Sequence, residues 1–223
     1  MHLVSGYKFF FKPGTDTVST FLEWFILYMV AYPEVQEKFF DEVRCKVGER
    51  NATLEDRAAT HFAEATILEV MRHCPHLALT IPHYTSDSTT IGNHFIPKDT
   101  QVYYYSGAVH HTESIFENHS LFRPERFLDE LSHFRPDERV IYFGSGKRRF
   151  VGLLSYTISV NQGLNVTRCA GEVLGRAETY LFAVSLIQAF KFRAVDGVKP
   201  DLGYRPGVNM YPKEFSVTIQ PRY

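Results

Sequence analysis

The stretch Phe143-Gly144-Ser145-Gly146-Lys147-Arg148 breaks off and resumes at Arg168-Cys169-Ala170-Gly171-Glu172-Val173-Leu174-Gly175-Arg176. Joined across residues 149 to 167, the two halves read F-G-S-G-K-R-R-C-A-G-E-V-L-G-R. Cys169 stands just before a helical pattern, where converging backbone N–H groups stabilise a thiolate. Ala170 and Gly171 are small, so the backbone can lie close to a flat partner. The intervening Phe-Val-Gly-Leu-Leu-Ser-Tyr-Thr-Ile-Ser-Val-Asn run has no turn logic. It reads like translated non-coding sequence, such as a short intron retained in frame.

Joined this way, the stretch resembles the haem-binding loop F-x-x-G-x-R-x-C-x-G of the cytochrome P-450 enzymes, the haem-thiolate monooxygenases. The resemblance implies that Cys169 is the axial ligand of haem iron, where a thiolate pushes electron density onto the metal and favours O–O cleavage. It implies a propionate contact for Arg148, whose guanidinium fork suits a carboxylate. Phe143, Gly146 and Gly171 then belong to the cofactor-binding loop. Where the family has a single residue before the cysteine, this chain has residues 149 to 168. Without a gap, Phe150 would occupy the ligand position, and phenylalanine cannot bind iron. Two readings compete: a cysteine replaced by Phe150, or an intact loop split by an insertion at 149–167. The Ala-Gly-Glu that follows Cys169 favours the insertion. Either Arg149 or Arg168 can fill the place before the cysteine.

Composition sets the outer bounds. At 223 residues the chain suffices for one sizeable domain or two small ones. A formal charge of −1 gives no argument for a nucleic-acid partner or a basic membrane-binding surface. An aromatic content of 15% suits an apolar ligand pocket and equally a large core. The 3 cysteines, Cys45, Cys74 and Cys169, are unevenly spaced and odd in number, which argues against a disulfide framework. No apolar run is long enough to cross a bilayer; the one from Phe21 to Tyr32 contains Glu23. His73-Cys74-Pro75-His76 gathers possible metal ligands, but Pro75 ends a helix there, so no metal site is assigned.

Further motifs follow in family order. Gly14-Thr15-Asp16-Thr17 resembles the A-G-x-D-T motif of the long distal helix, with Pro13 in the alanine position. The resemblance gives Asp16 and Thr17 the catalytic role of supplying protons as general acids. On residue type alone they are helix-start residues, with Pro13 suited to a first turn. The earlier half of that helix is not expected. Glu69 and Arg72 share a helical face at i, i+3. They resemble the family's buried E-x-x-R pair, locked by an arginine from a later P-x-R-F segment, here Pro124-Glu125-Arg126-Phe127. Glu69, Arg72 and Arg126 are therefore an expected structural triad. Ile81-Pro82-His83 matches the strand at the haem edge and makes His83 a candidate propionate contact.

The pattern predicts helices over Val35–Gly48, His61–His73 and Val173–Phe190, with a loop or short helix at Thr53–Arg57. Leu77–Tyr105 reads as strand-rich, Glu117–Arg139 as loop-rich, and the tail from Phe192 as a β-hairpin turning at Gly203, Pro206-Gly207 and Pro212. The expected fold is mainly α with small β-sheets, the C-terminal, haem-binding half of the cytochrome P-450 fold. Residues 1–13 match nothing usable; 14–223 form a partial domain carrying the insert 149–167.

The function implied is insertion of one oxygen atom from dioxygen into an apolar small molecule of the steroid, xenobiotic or aromatic class, as in the animal microsomal branch. The cofactor is haem b, with NADPH electrons arriving through a flavoprotein reductase. Lys147, Arg148, Arg168 and Arg176 would form its basic docking face, though a solvated basic patch predicts the same residues. The alternative is a non-catalytic truncated fragment, a gene-model or pseudogene product whose haem loop is disrupted by the insert. The endoplasmic reticulum membrane is expected for the family, and a cytoplasmic place for a chain lacking the anchor.

Overall fold

In the computed structural model, residues 3–79, 83–144, 148–149, 157–158, 167–169, 171–207 and 209–223 are described. The chain begins with helix α1 (Leu3–Ala31). Phe21, Trp24, Phe25, Leu27, Tyr28 and Met29 are each at most 2% exposed. A helix apolar on nearly every side is one that its neighbours surround, and α1 packs against α2 (Pro33–Lys46), α3 (His61–His73) and α5 (Glu172–Ala189). Pro33 opens α2, a first-turn position where its missing N–H costs nothing. Gln36 is fully buried and joins three elements. It donates to the carbonyls of Met29 and Phe192 and accepts the Phe192 N–H, all at 2.8–2.9 Å.

Helix α3 is buried from Phe62 to Arg72. The Glu42 carboxylate of α2 accepts the Phe62 and Ala63 N–H groups at 2.9 and 2.8 Å, a negative charge where the helix start needs one. A 3-10 turn at Leu54–Ala58 leads into it. Beyond it come short strands: β1 (His83–Thr85), β2 (Thr89–Ile91), β3 (His94–Ile96) and β4 (Gln101–Val102). Strands β2 and β3 form a hairpin, and β1 pairs antiparallel with β4. After the five-residue α4 (Ser106–His110), a loop-rich stretch holds a 3-10 turn at Pro124–Phe127 that packs on α3.

Strands β5 (Arg148–Arg149), β6 (Thr157–Ile158) and β7 (Thr167–Arg168) lie between Phe143 and α5. β5 pairs parallel with β7, and β6 pairs parallel with β1. The tail forms β8 (Phe190–Ala194), β9 (Tyr204–Arg205), β10 (Tyr211–Pro212) and β11 (Val217–Pro221).

Two expectations change. The first helix does not open at Gly14; it runs unbroken from Leu3, so Asp16 and Thr17 sit in its interior and cap nothing. Pro13 removes one i→i−4 bond, and the turns on either side carry the helix through. The tail is two nested pairings rather than one hairpin: β8 with β11 outside, β9 with β10 inside. Pro212 therefore lies in a strand, while Pro206-Gly207 remains in the connection.

Candidate functional site

A buried polar cluster joins α3 to the Pro124–Phe127 turn. Glu69 and Arg72 are fully buried. Arg72 Nε donates to Glu69 Oε2 at 2.7 Å, and its Nη2 to Oε1 at 2.8 Å. Arg126 Nε reaches the same Oε1 at 3.0 Å, as does the Arg123 backbone N–H at 2.8 Å. The remaining guanidinium donors end on carbonyls: Arg72 on His110 at 2.8 Å, Arg126 on Glu117 and Leu121, both at 2.9 Å. Each of these donors has an oxygen, the condition under which a buried charge cluster is tolerable. No group in it is open to a ligand.

The interrupted loop is held differently. Cys169 is an exposed, free thiol immediately before α5. Its backbone N–H donates to the Phe143 carbonyl at 2.8 Å, so the two halves of the sequence motif meet in space. The parallel pairs Arg148–Thr167 and Arg149–Arg168 bring the ends of the intervening segment side by side. The Arg176 guanidinium lies 4.7 Å over the Phe143 ring and pairs with Glu172 at 3.0 Å. A Cβ at Gly175 would stand 3.3 Å from that ring, while one at Gly171 would meet Cys169 Sγ at 3.8 Å, an ordinary contact. Within the chain, then, close packing needs a small residue at 175 more than at 171. Gly146 and the Arg148 side chain lie outside the described residues.

Asp16 is half-buried in α1. Asn209 donates to its Oδ2 at 2.8 Å and the Tyr211 hydroxyl to its Oδ1 at 3.0 Å. Thr17, next along the helix, is half-buried as well. His83 sits in β1 opposite Val102, and burial lowers its pKa below the ordinary histidine value. A cleft of about 650 Å3 runs between α3, residues 134–140, Phe143 and α5. Asp16, Thr17 and His83 do not line it, so it is set apart from the candidate distal groups.

Tyr142 and Tyr211, near these groups, were not singled out by sequence; His76 was noted only in a group given no metal role, and Asn209 was given no role of its own. His76 is fully buried and its Nδ1 bonds the Tyr142 hydroxyl. Burial pushes His76 down to about 4 against the opposing charge of Asp16, and pushes Tyr142 well above 10. Both are therefore neutral near pH 7. A His directly after a helix-ending His-Cys-Pro run carries no periodic signal.

The cytochrome P450 family model matches residues 5–153, and the chain belongs to that family, whose members are haem monooxygenases. Cytochrome P450 1A1 of Limanda limanda is 38% identical over 208 residues, covering 91% of this chain and 36% of that protein. Cytochrome P450 1A3 of Oncorhynchus mykiss is 38% identical over 217 residues, covering 95% and 38%. A zebrafish cytochrome P450 solved with progesterone superposes with a TM-score of 0.79 at 32% identity, covering 95% of this chain and 44% of that one. The helix-rich architecture with small sheets is thus a segment of the cytochrome P450 fold. The chain spans little more than a third of the length of the curated relatives it matches.

The residues present fit the family's haem. A single exposed thiol at the start of α5, tied through its amide to Phe143, offers the iron one protein ligand. Among the described residues no cluster of three or more His, Cys, Asp or Glu competes for a metal ion. Among them, too, no helix is long and apolar enough to cross a membrane.

Proposed function

We propose that this protein is a haem-dependent monooxygenase with Cys169 as the axial iron ligand. The observation that carries the reading is the bond from the Cys169 amide to the Phe143 carbonyl, which rejoins the two halves of the loop across residues 149–167. Bound there, thiolate-ligated haem would supply activation of dioxygen for insertion of one oxygen atom into an apolar substrate. The chain's own residues do the rest. Phe143, Gly171 and the loop before α5 present the thiol. Arg148 and His83 are the proposed propionate partners, with Gly146 in the same loop. Asp16 and Thr17 are the proposed proton donors, with Asp16 oriented by Asn209 and Tyr211. Electrons come from NADPH through a flavoprotein reductase docked on the basic residues around Arg148 and Arg176.

The substrate is an apolar small molecule of the steroid, xenobiotic or aromatic class, at the endoplasmic reticulum membrane. Progesterone is the first probe, since the zebrafish relative was solved with it. The domain takes in α1 upstream of residue 14, where the family match begins at residue 5, and we take residues 149–167 as an insert. That insert favours a second reading, a non-catalytic fragment. Arg148 and Cys169 have to hold propionate and iron in one tight loop, and a preorganised site tolerates errors of only about 0.5 Å. Loop entropy is not the obstacle, because doubling a loop costs only about 0.6 kcal/mol.

The test compares the 223-residue chain with a form lacking residues 149–167, each supplied with haem, reductase, NADPH and progesterone. The fragment reading expects no product from the intact chain. Product from it that disappears in Cys169→Ala selects the enzyme reading. No haem uptake by either form overturns the proposed function.

A further inference from the structure

We propose that His76 is a positioning residue that ties the two halves of the candidate site together. Its backbone holds the Asp16 side and its imidazole holds the Cys169 side. The role in function rests on the haem reading above; the link itself consists of this chain's own bonds.

The backbone arm comes first. The His76 carbonyl accepts the Met210 N–H at 3.0 Å, and the Met210 carbonyl accepts Trp24 Nε1–H of α1 at 2.8 Å. The neighbours of Met210 are Asn209 and Tyr211, the two residues that grip the Asp16 carboxylate. His76 thus anchors the segment that orients the candidate acid.

The side-chain arm runs the other way. The Tyr142 hydroxyl bonds His76 Nδ1, and its ring meets Phe21 of α1 edge-on at 6.2 Å. The next residue is Phe143, whose carbonyl accepts the Cys169 N–H at 2.8 Å. Taken as the donor, the Tyr142 hydroxyl leaves Nδ1 as the acceptor. The imidazole proton is then on Nε2, a buried atom with no partner among the described residues. A phenylalanine would fill the same space without an unmatched N–H. What the imidazole adds is a directed bond to Tyr142, and through it a fixed place for the Phe143 carbonyl.

The test uses the whole chain without haem, so that it reads the link and not the enzyme. With 15N-labelled histidine, the wild type should show His76 as one Nε2–H tautomer, and Tyr142→Phe should mix the two tautomers. Amide exchange at Cys169 should rise roughly five- to tenfold in both Tyr142→Phe and His76→Phe, the effect of losing one hydrogen bond. Amides of α3 and α5 should stay protected. In the double variant H76F/Y142F both polar partners become apolar, so the melting temperature should recover while Cys169 stays fast. Unchanged Cys169 exchange in the single variants overturns the proposal, as does a rise shared by the whole core. Should the single variants fail to fold, wild-type protection of Cys169 in the double variant overturns it equally. A chain that shows the predicted tautomer and exchange changes but takes up no haem supports the link and refutes the haem reading instead.

Discussion

The Glu69–Arg72–Arg126 cluster and the Phe143–Cys169 loop are held by opposite means. The first is buried, and its carboxylate takes four hydrogen bonds, from Arg72 twice, Arg126 and the Arg123 amide. Among the described residues, the two halves of the second are joined by a backbone bond at 2.8 Å and a two-residue parallel pairing. The cluster is locked whether or not a ligand arrives. The loop keeps its thiol exposed. The first region is closed on its own donors and acceptors, while the second presents a group that a ligand can reach.

Glu69→Ala gives the largest expected effect. It strands two guanidinium groups and an amide in the core, which should cost about 3–5 kcal/mol in denaturant unfolding. A loss below about 1 kcal/mol would erase the contrast between the regions.

Acid gives the next. Burial holds His76 and His110 down to about 4, below the ordinary value near 6.5. Between those values the unfolded chain binds more protons than the folded one. Their contribution is fully present above about pH 6.5 and is lost as pH falls toward 4, by up to roughly 1.4 kcal/mol per pH unit for each. His110 Nε2 accepts the Ile141 N–H at 2.9 Å, so protonation also removes that acceptor beside the loop. Unfolding free energy measured from pH 7 to 4 should fall, and less steeply in His76→Phe. A flat profile contradicts this.

Arg176→Ala removes the guanidinium from the Phe143 ring and its pair with Glu172. Its cost should be about 0.5–1 kcal/mol, since the side chain is partly exposed. The smallest change is Arg44→Ala, where both partners of the Asp41 pair are 62% exposed. It should move stability by less than about 0.5 kcal/mol.

Sequence made the cluster legible and the bond partners of the site illegible. Helix α3 has the bounds that its apolar pattern predicts, His61–His73, and i, i+3 spacing puts Glu69 beside Arg72. Helix α1 begins well before Gly14, because Pro13-Gly14 and the Asp-Thr pair imitate a helix start. Tyr142 is 66 positions from His76, and Asn209 is 193 from Asp16. No local period encodes such pairs, and Tyr and Asn occur often enough that their presence signals nothing. Cys169 stands out in the sequence because a thiol before Ala-Gly-Glu and a helix is a rare arrangement, and its place beside Phe143 is what the structure adds.

The central claim is that Cys169 is the thiolate ligand of a haem loop split by residues 149–167. Its most direct test places the 149–167 deletion in a full-length context, loads haem, reduces it and adds carbon monoxide. The account predicts a Soret band at the thiolate-ligated position that is lost in Cys169→Ala. The same band retained in Cys169→Ala would contradict it.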